Sequence, residues 1–152
     1  MIQSTQILWI PGRMPGLNEI LDARGRGRSF TARRWDGYNA LKRKWMAVIV
    51  RAAKAQAFHR VEGGRFTYLF VEPDKRRDPS NIVSGGIKII EDALISAELL
   101  PGDGWRHVAS FRPYWMVRPE KVGALVAVHP DESLKKRDML DAFERLAWRP
   151  AA

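Results

Sequence analysis

The chain has 152 residues, 45% hydrophobic and 28% charged, the balance of a soluble globule with enough length for one proper core. It has no cysteine, which excludes disulfides and thiolate metal sites and fits a reducing cytosol. A net charge of +9 and a pI near 10.4 point toward a polyanionic partner, nucleic acid first.

Residues Gln6 to Ile10 read as a short strand ended by Pro11-Gly12. The opening stretch lacks a charged leader and a long apolar run, so no signal peptide is expected. No apolar segment approaches the roughly 20 residues of a membrane span. Residues 13–30 are punctuated by Pro15, Gly16, Gly25 and Gly27 and predict a long, basic, mobile loop. Arg24, Arg26 and Arg28 put three guanidinium groups there, suited to follow a phosphate backbone and release its counterions. A solvated loop that happens to be basic is the plainer alternative.

From Thr31 to about His59 the spacing predicts a helix with Leu41, Trp45, Val48, Ala52 and Ala55 on its apolar face. Lys42, Arg43, Arg51 and Lys54 lie opposite, either as a solvated face or as a DNA contact. Gly63-Gly64 ends this unit. Phe66 to Val71 is apolar on both faces, as in a strand covered on both sides. It delivers the chain to Asp78, where a rigid scaffold would hold a functional loop.

The stretch from Arg76 to Trp105 carries the chemistry. Pro79 keeps Asp78 out of a helix, and Ser80 or Asn81 can cap the helix that follows. Ile82, Ile89, Ala93, Ala97 and Leu100 recur at helical spacing. Ser84, Lys88 and Asp92 form a second, polar stripe nearly in line with Asn81. Gly85-Gly86 costs about 2 kcal/mol of helix propensity, which implies either close backbone approach or a later helix start. Pro101-Gly102 stops the helix, and Asp103 sits in the turn before the next apolar run. Asp78 and Asp103 bracket the helix and can meet only if the chain carries one back alongside it. Taken alone, they are ordinary turn and capping aspartates, and Lys88 is an ordinary surface lysine.

This arrangement resembles the RusA family of Holliday junction resolvases, phage and prophage nucleases that cut four-way DNA junctions. The family pattern is a basic run, D-x-D-N, a helix with a lysine and an aspartate-alanine-leucine, then an aspartate before a strand. Here it reads Arg76-Arg77-Asp78-Pro79-Ser80-Asn81, Lys88, Asp92-Ala93-Leu94 and Asp103-Gly104-Trp105, with Ile10-Pro11-Gly12 and Asn18 similar to the family's opening. The match covers roughly residues 7–129. It implies a metal-dependent endonuclease that resolves junctions by paired nicking, as a homodimer on branched DNA in the bacterial cytoplasm.

Within that resemblance, Asp78, Asp103 and Lys88 are the catalytic candidates. Asp78 and Asp103 would hold Mg2+ (with Mn2+ as a substitute), a hard ion that prefers oxygen ligands. They should then lie in one cluster at the end of the Phe66–Val71 strand. Lys88 would stabilise transition-state charge. Asp92 is first a partner that orients Lys88, and otherwise a further ligand or an ordinary exposed helix residue. Arg76 and Arg77 join the three loop arginines as DNA contacts. Ser80 stands where the family has its second aspartate, leaving one carboxylate fewer. The alternative is therefore a junction- or DNA-binding protein of the same fold with an impaired site.

Beyond Asp103, Trp105 to Val117 alternates as a long strand, with Pro113 marking a break or a sheet edge. His107, Ala109 and Phe111 share one face, Val108 and Ser110 the other. Gly123 to His129 gives a last strand. Residues 131–148 predict a C-terminal helix, capped by Asp131, whose Leu140, Phe143 and Ala147, with Leu134 nearby, dock on the chain's own core in preference to a partner subunit. The three histidines show no metal spacing, and the tryptophans read mostly as core. Trp35 and Trp105, beside basic residues, are the exceptions. The whole is a single α+β domain with a mixed sheet of about four strands packed with helices.

Overall fold

Phe66 to Val71 forms the centre of strand β2, Gly64–Glu72, and every one of its side chains is buried. A strand with no polar face must be covered on both sides, and it is. The computed structural model describes residues 4–25, 33–130 and 134–150, with the side chains of residues 25 and 33–36 outside that description. Its elements are β1 (Gln6–Pro11), α1 (Leu17–Gly25), α2 (Arg33–Ala55), β2, α3 (Pro79–Ser96), β3 (Val108–Val117), β4 (Gly123–His129) and α4 (Lys136–Leu146).

The strands form one mixed sheet in the order β1-β4-β2-β3. Strand β4 pairs antiparallel with both β1 and β2, while β3 runs parallel to β2. Helix α3 is the crossover that parallel pairing requires. Phe66, Tyr68 and Phe70 face a core shared with Ile20, Tyr38, Trp45, Ile49, Ile82 and Ile89 from α1, α2 and α3. Trp9, Leu69, Val71, Leu125 and Ala127 face Met139, Ala142 and Phe143 of α4. The chain is thus an α+β domain with helices on both sheet faces, and α4 docks on its own subunit. Phe143 meets Trp9 edge-on at 5.3 Å between ring centroids.

Several boundaries differ from the sequence expectation. The segment expected as a mobile loop over residues 13–30 carries helix α1. Its first turn is capped from α3, where Asn81 Oδ1 accepts the Asn18 N–H at 2.9 Å, and closed by Gly16 O, which accepts the Ile20 N–H at 3.1 Å. Ile20 then buries into the core at 2% exposure. Arg26 and Arg28 lie outside the described residues, as does Asp131, the expected cap of α4. At α4 the Asp138 carboxylate accepts the Lys135 N–H at 2.9 Å instead. Asp78 occupies the N-cap position of α3 without a side-chain cap bond, so neither Ser80 nor Asn81 plays that role. Ala55 is exposed rather than core.

Both glycines of the Gly85-Gly86 pair lie inside α3, and the close-approach reading holds. A Cβ on Gly85 would sit 2.2 Å from the Gly16 carbonyl carbon, and one on Gly86 would sit 2.3 Å from the Phe70 ring. The glycines let α3 press against the start of α1 and against β2. Strand β3 starts at Val108 rather than Trp105, and Pro113 lies on an edge strand, where a missing donor is tolerated. By register, Phe111, Pro113 and Trp115 share the face of Phe66, Tyr68 and Phe70.

Candidate functional site

The polar stripe of α3 meets two other elements at its C-terminal half. Lys88 Nζ donates to Asp92 Oδ1 at 3.0 Å and lies 3.9 Å from Asp103 Oδ2. The chain after α3 therefore folds back along the helix and returns Asp103 to it. The second Asp92 oxygen accepts a hydrogen bond from the Tyr38 hydroxyl on α2. Tyr38 is 4% exposed, and burial, then the Asp92 carboxylate, push its phenol well above the usual range. It therefore stays protonated and acts only as a donor to Asp92. Asp92 is 16% exposed, against 43% for Lys88 and 45% for Asp103. Asp92 is the least exposed of the three, and it holds Lys88 by an i,i+4 ion pair.

Glu91 joins the group from the buried side. Tyr68 donates to its Oε1 at 3.2 Å. Burial raises the Glu91 carboxyl above its ordinary value, and Asp103 and Asp92 push the same way, while Tyr68 and Lys88 oppose. Three carboxyl groups and one ammonium thus influence one another here. Sequence reasoning missed Glu91; the available signal was an acid directly after the apolar run Ile89-Ile90.

Asp78 does not belong to this cluster. It stands at the N-cap of α3, ten residues before Lys88, which is about 15 Å along a helix rising 1.5 Å per residue. Lys88 leans the other way, toward Asp92, and Asp103 follows it. The two aspartates expected to share an ion therefore lie at different levels of α3, much farther apart than the ~3 Å that two oxygens on one magnesium span. That pairing is corrected. Among the described residues, no group of three His, Asp or Glu side chains is spaced to hold a metal ion. In this arrangement Asp92 has both oxygens engaged, and the Lys88 ammonium fills the space between Asp92 and Asp103.

The N-terminal end of α3 is organised by a different pair. Arg77 donates from Nε to Glu72 Oε1 and from Nη2 to Glu72 Oε2, each at 2.8 Å. Its Nη1 reaches Glu19 of α1 at 3.1 Å. With the Arg77 side chain 10% exposed and that of Glu72 6% exposed, this guanidinium is committed to the protein. Arg77 is therefore corrected from DNA contact to anchor. Arg76 remains outside, 90% exposed and 3.6 Å from Asp74. Asp78 and Ser80 are exposed beside it. Arg24 is not a free strap residue either: its guanidinium lies over the Tyr38 ring at 4.6 Å, so the basic segment starts against the Lys88 cluster.

The tryptophans divide differently from the expectation. Trp9 and Trp45 are core, whereas Trp105 is 99% exposed and Trp115 and Trp148 are each 46% exposed. Trp35 has its side chain outside the description. His107 is structural, with Nδ1 3.0 Å from the Glu62 carbonyl. No helix among the described residues is long and apolar enough to cross a membrane. No family model matches the chain, and no curated protein sequence matches it.

Proposed function

We propose that this protein is a structure-selective DNA endonuclease of the RusA type, nicking four-way junctions as a homodimer. The observation that carries the reading is the seating of Lys88 between Asp92 and Asp103 on the polar stripe of α3. Those three residues come from separate parts of the motif on which the resemblance rests. Asp92, itself bonded by Tyr38, holds the ammonium in place, which suits it to stabilise negative charge growing on a phosphodiester. Exposed Arg76 offers positive charge at the start of α3 for the phosphate backbone. A junction must be cut on two symmetry-related strands, so a twofold pair of subunits suits the task.

Magnesium belongs to this reading as the usual Lewis acid of phosphodiester hydrolysis. It would need ligands other than the Asp78–Asp103 pair. A second reading has its own support. Ser80 brings no charge to the α3 N-terminus, and the carboxylates that do meet are already compensated by Lys88. A junction-binding protein with little or no cutting activity fits those two facts. Nicking of a labelled synthetic four-way junction with and without magnesium separates the readings. Lys88→Met should abolish cutting under the first and leave junction binding nearly unchanged under the second.

A further inference from the structure

Trp105 is the most exposed large apolar side chain of the described residues, at 99%. A fully hydrated indole forgoes the 150–250 Å² that an aromatic side chain ordinarily buries. It is also not on a floppy tail. His107 N and Val108 N both donate to the Gly104 carbonyl, at 2.9 and 3.0 Å, closing a tight turn around it. His107 ties the turn to Glu62, and Asp103 ties it to Lys88. Gly104 has open space where a side chain would project, and Arg106, the next residue, is exposed. The ordered turn therefore presents an aromatic plane and a guanidinium to solvent, two and three residues from Asp103.

We infer that Trp105 is a base-stacking residue, and that its ligand is an unpaired or unstacked base at a DNA branch point. The inference rests on the proposed action on DNA and deepens it. Aromatic planes beside positive charge are how proteins hold splayed bases, because every base has a π face and its phosphate is drawn to the cation. The net charge of +9 favours this polyanion over another protein. A second copy of the chain is the competing occupant, since Phe111, Trp115 and Val117 are exposed on the nearby edge strand at 56%, 46% and 39%. Those three lie on a sheet face, where a partner's side chains can pack. Trp105 stands off the sheet on its own turn, beside the Lys88 cluster.

The test places 2-aminopurine at the crossover of a synthetic four-way junction and titrates the full chain in EDTA, so that no cutting is involved. Stacking on Trp105 should quench the probe on binding. Trp105→Ala should remove the quench and weaken junction affinity between about five- and a hundredfold, while Trp105→Phe keeps most of both. The same variants bound to an unbranched duplex should differ little. Sedimentation of parent and variants is run alongside. Unchanged affinity and quench for Trp105→Ala would overturn the assignment, and a loss of self-association by that variant would make Trp105 a subunit contact instead. If the parent binds no junction at all, the DNA reading fails first and the stacking role falls with it.

Discussion

Arg77→Met tests whether this arginine is an anchor or a DNA contact. Glu72 is 4% exposed at the end of the central strand, and two guanidinium nitrogens at 2.8 Å each satisfy its carboxylate. Removing one partner of such a pair leaves an uncompensated buried charge and costs about 3–5 kcal/mol. For a chain of this size each kcal/mol lowers Tm by about 2–4 °C, so a fall of about 6–20 °C is expected. Replacing both partners, Arg77→Met with Glu72→Met, should recover most of the loss, since a buried ion pair exchanged for apolar groups is often neutral. Urea unfolding of parent, both single variants and the double variant gives the coupling directly. A loss below about 1 kcal/mol for Arg77→Met, with a reduced salt slope of junction binding, would restore the DNA-contact role and refute the anchor.

Three further outcomes follow from the same geometry. Glu91 has a folded-state pKa raised above its ordinary value of 4.5, so the folded state holds its proton more tightly than the unfolded chain. Its contribution is greatest at low pH and declines as pH rises from about 4.5 through the raised value. Glu91→Gln should flatten that decline in a series of melts from pH 4 to 8, and an unchanged pH profile would contradict the assignment. Gly85→Ala gains about 1 kcal/mol of helix propensity but drives a methyl into the Gly16 backbone. A net loss of about 1–3 kcal/mol is expected, and a stabilised variant would show that α1 does not press on α3. Tyr38→Phe keeps the buried ring but removes the donor to Asp92. It should cost about 1.5–3 kcal/mol and lower nicking much more than junction binding, an order that equal losses would overturn.

The parts legible in the sequence were those where burial imposes a pattern. An apolar run on both faces from Phe66 to Val71 can only be a covered strand, and Ile82, Ile89 and Ala93 could face only one way. The polar stripe through Lys88 and Asp92 followed from the same helix. What stayed hidden depended on partners distant in the chain. Helix α1 looked like a loop because Pro15, Gly16 and Gly25 punctuate it, and its stability comes from Asn81 and from the space Gly85 leaves. Arg77 looked available to DNA because charge alone does not reveal a partner. Yet Glu72, an acid ending a buried strand, already demanded one. Asp78 and Asp103 were paired by motif order, whereas the rigid length of α3 keeps them apart and the returning chain gives Asp103 to Lys88. The basic neighbour of Trp105 is visible in the sequence, and only the turn around Gly104 shows how fully the indole is presented.

Ser80 is exposed at the start of α3, so Ser80→Asp adds a carboxylate beside Asp78 without burying it. An acid in the first helical turn is worth about 0.3–1 kcal/mol, which should appear as a slight rise in Tm. The most direct measurement is side-by-side nicking of a labelled four-way junction by parent, Ser80→Asp and Lys88→Met, at saturating magnesium and in EDTA. The proposed function predicts weak, magnesium-dependent, symmetrically paired nicks by the parent, a large gain for Ser80→Asp and none for Lys88→Met. Tight junction binding with no cutting by either parent or Ser80→Asp would contradict it and leave a binding protein.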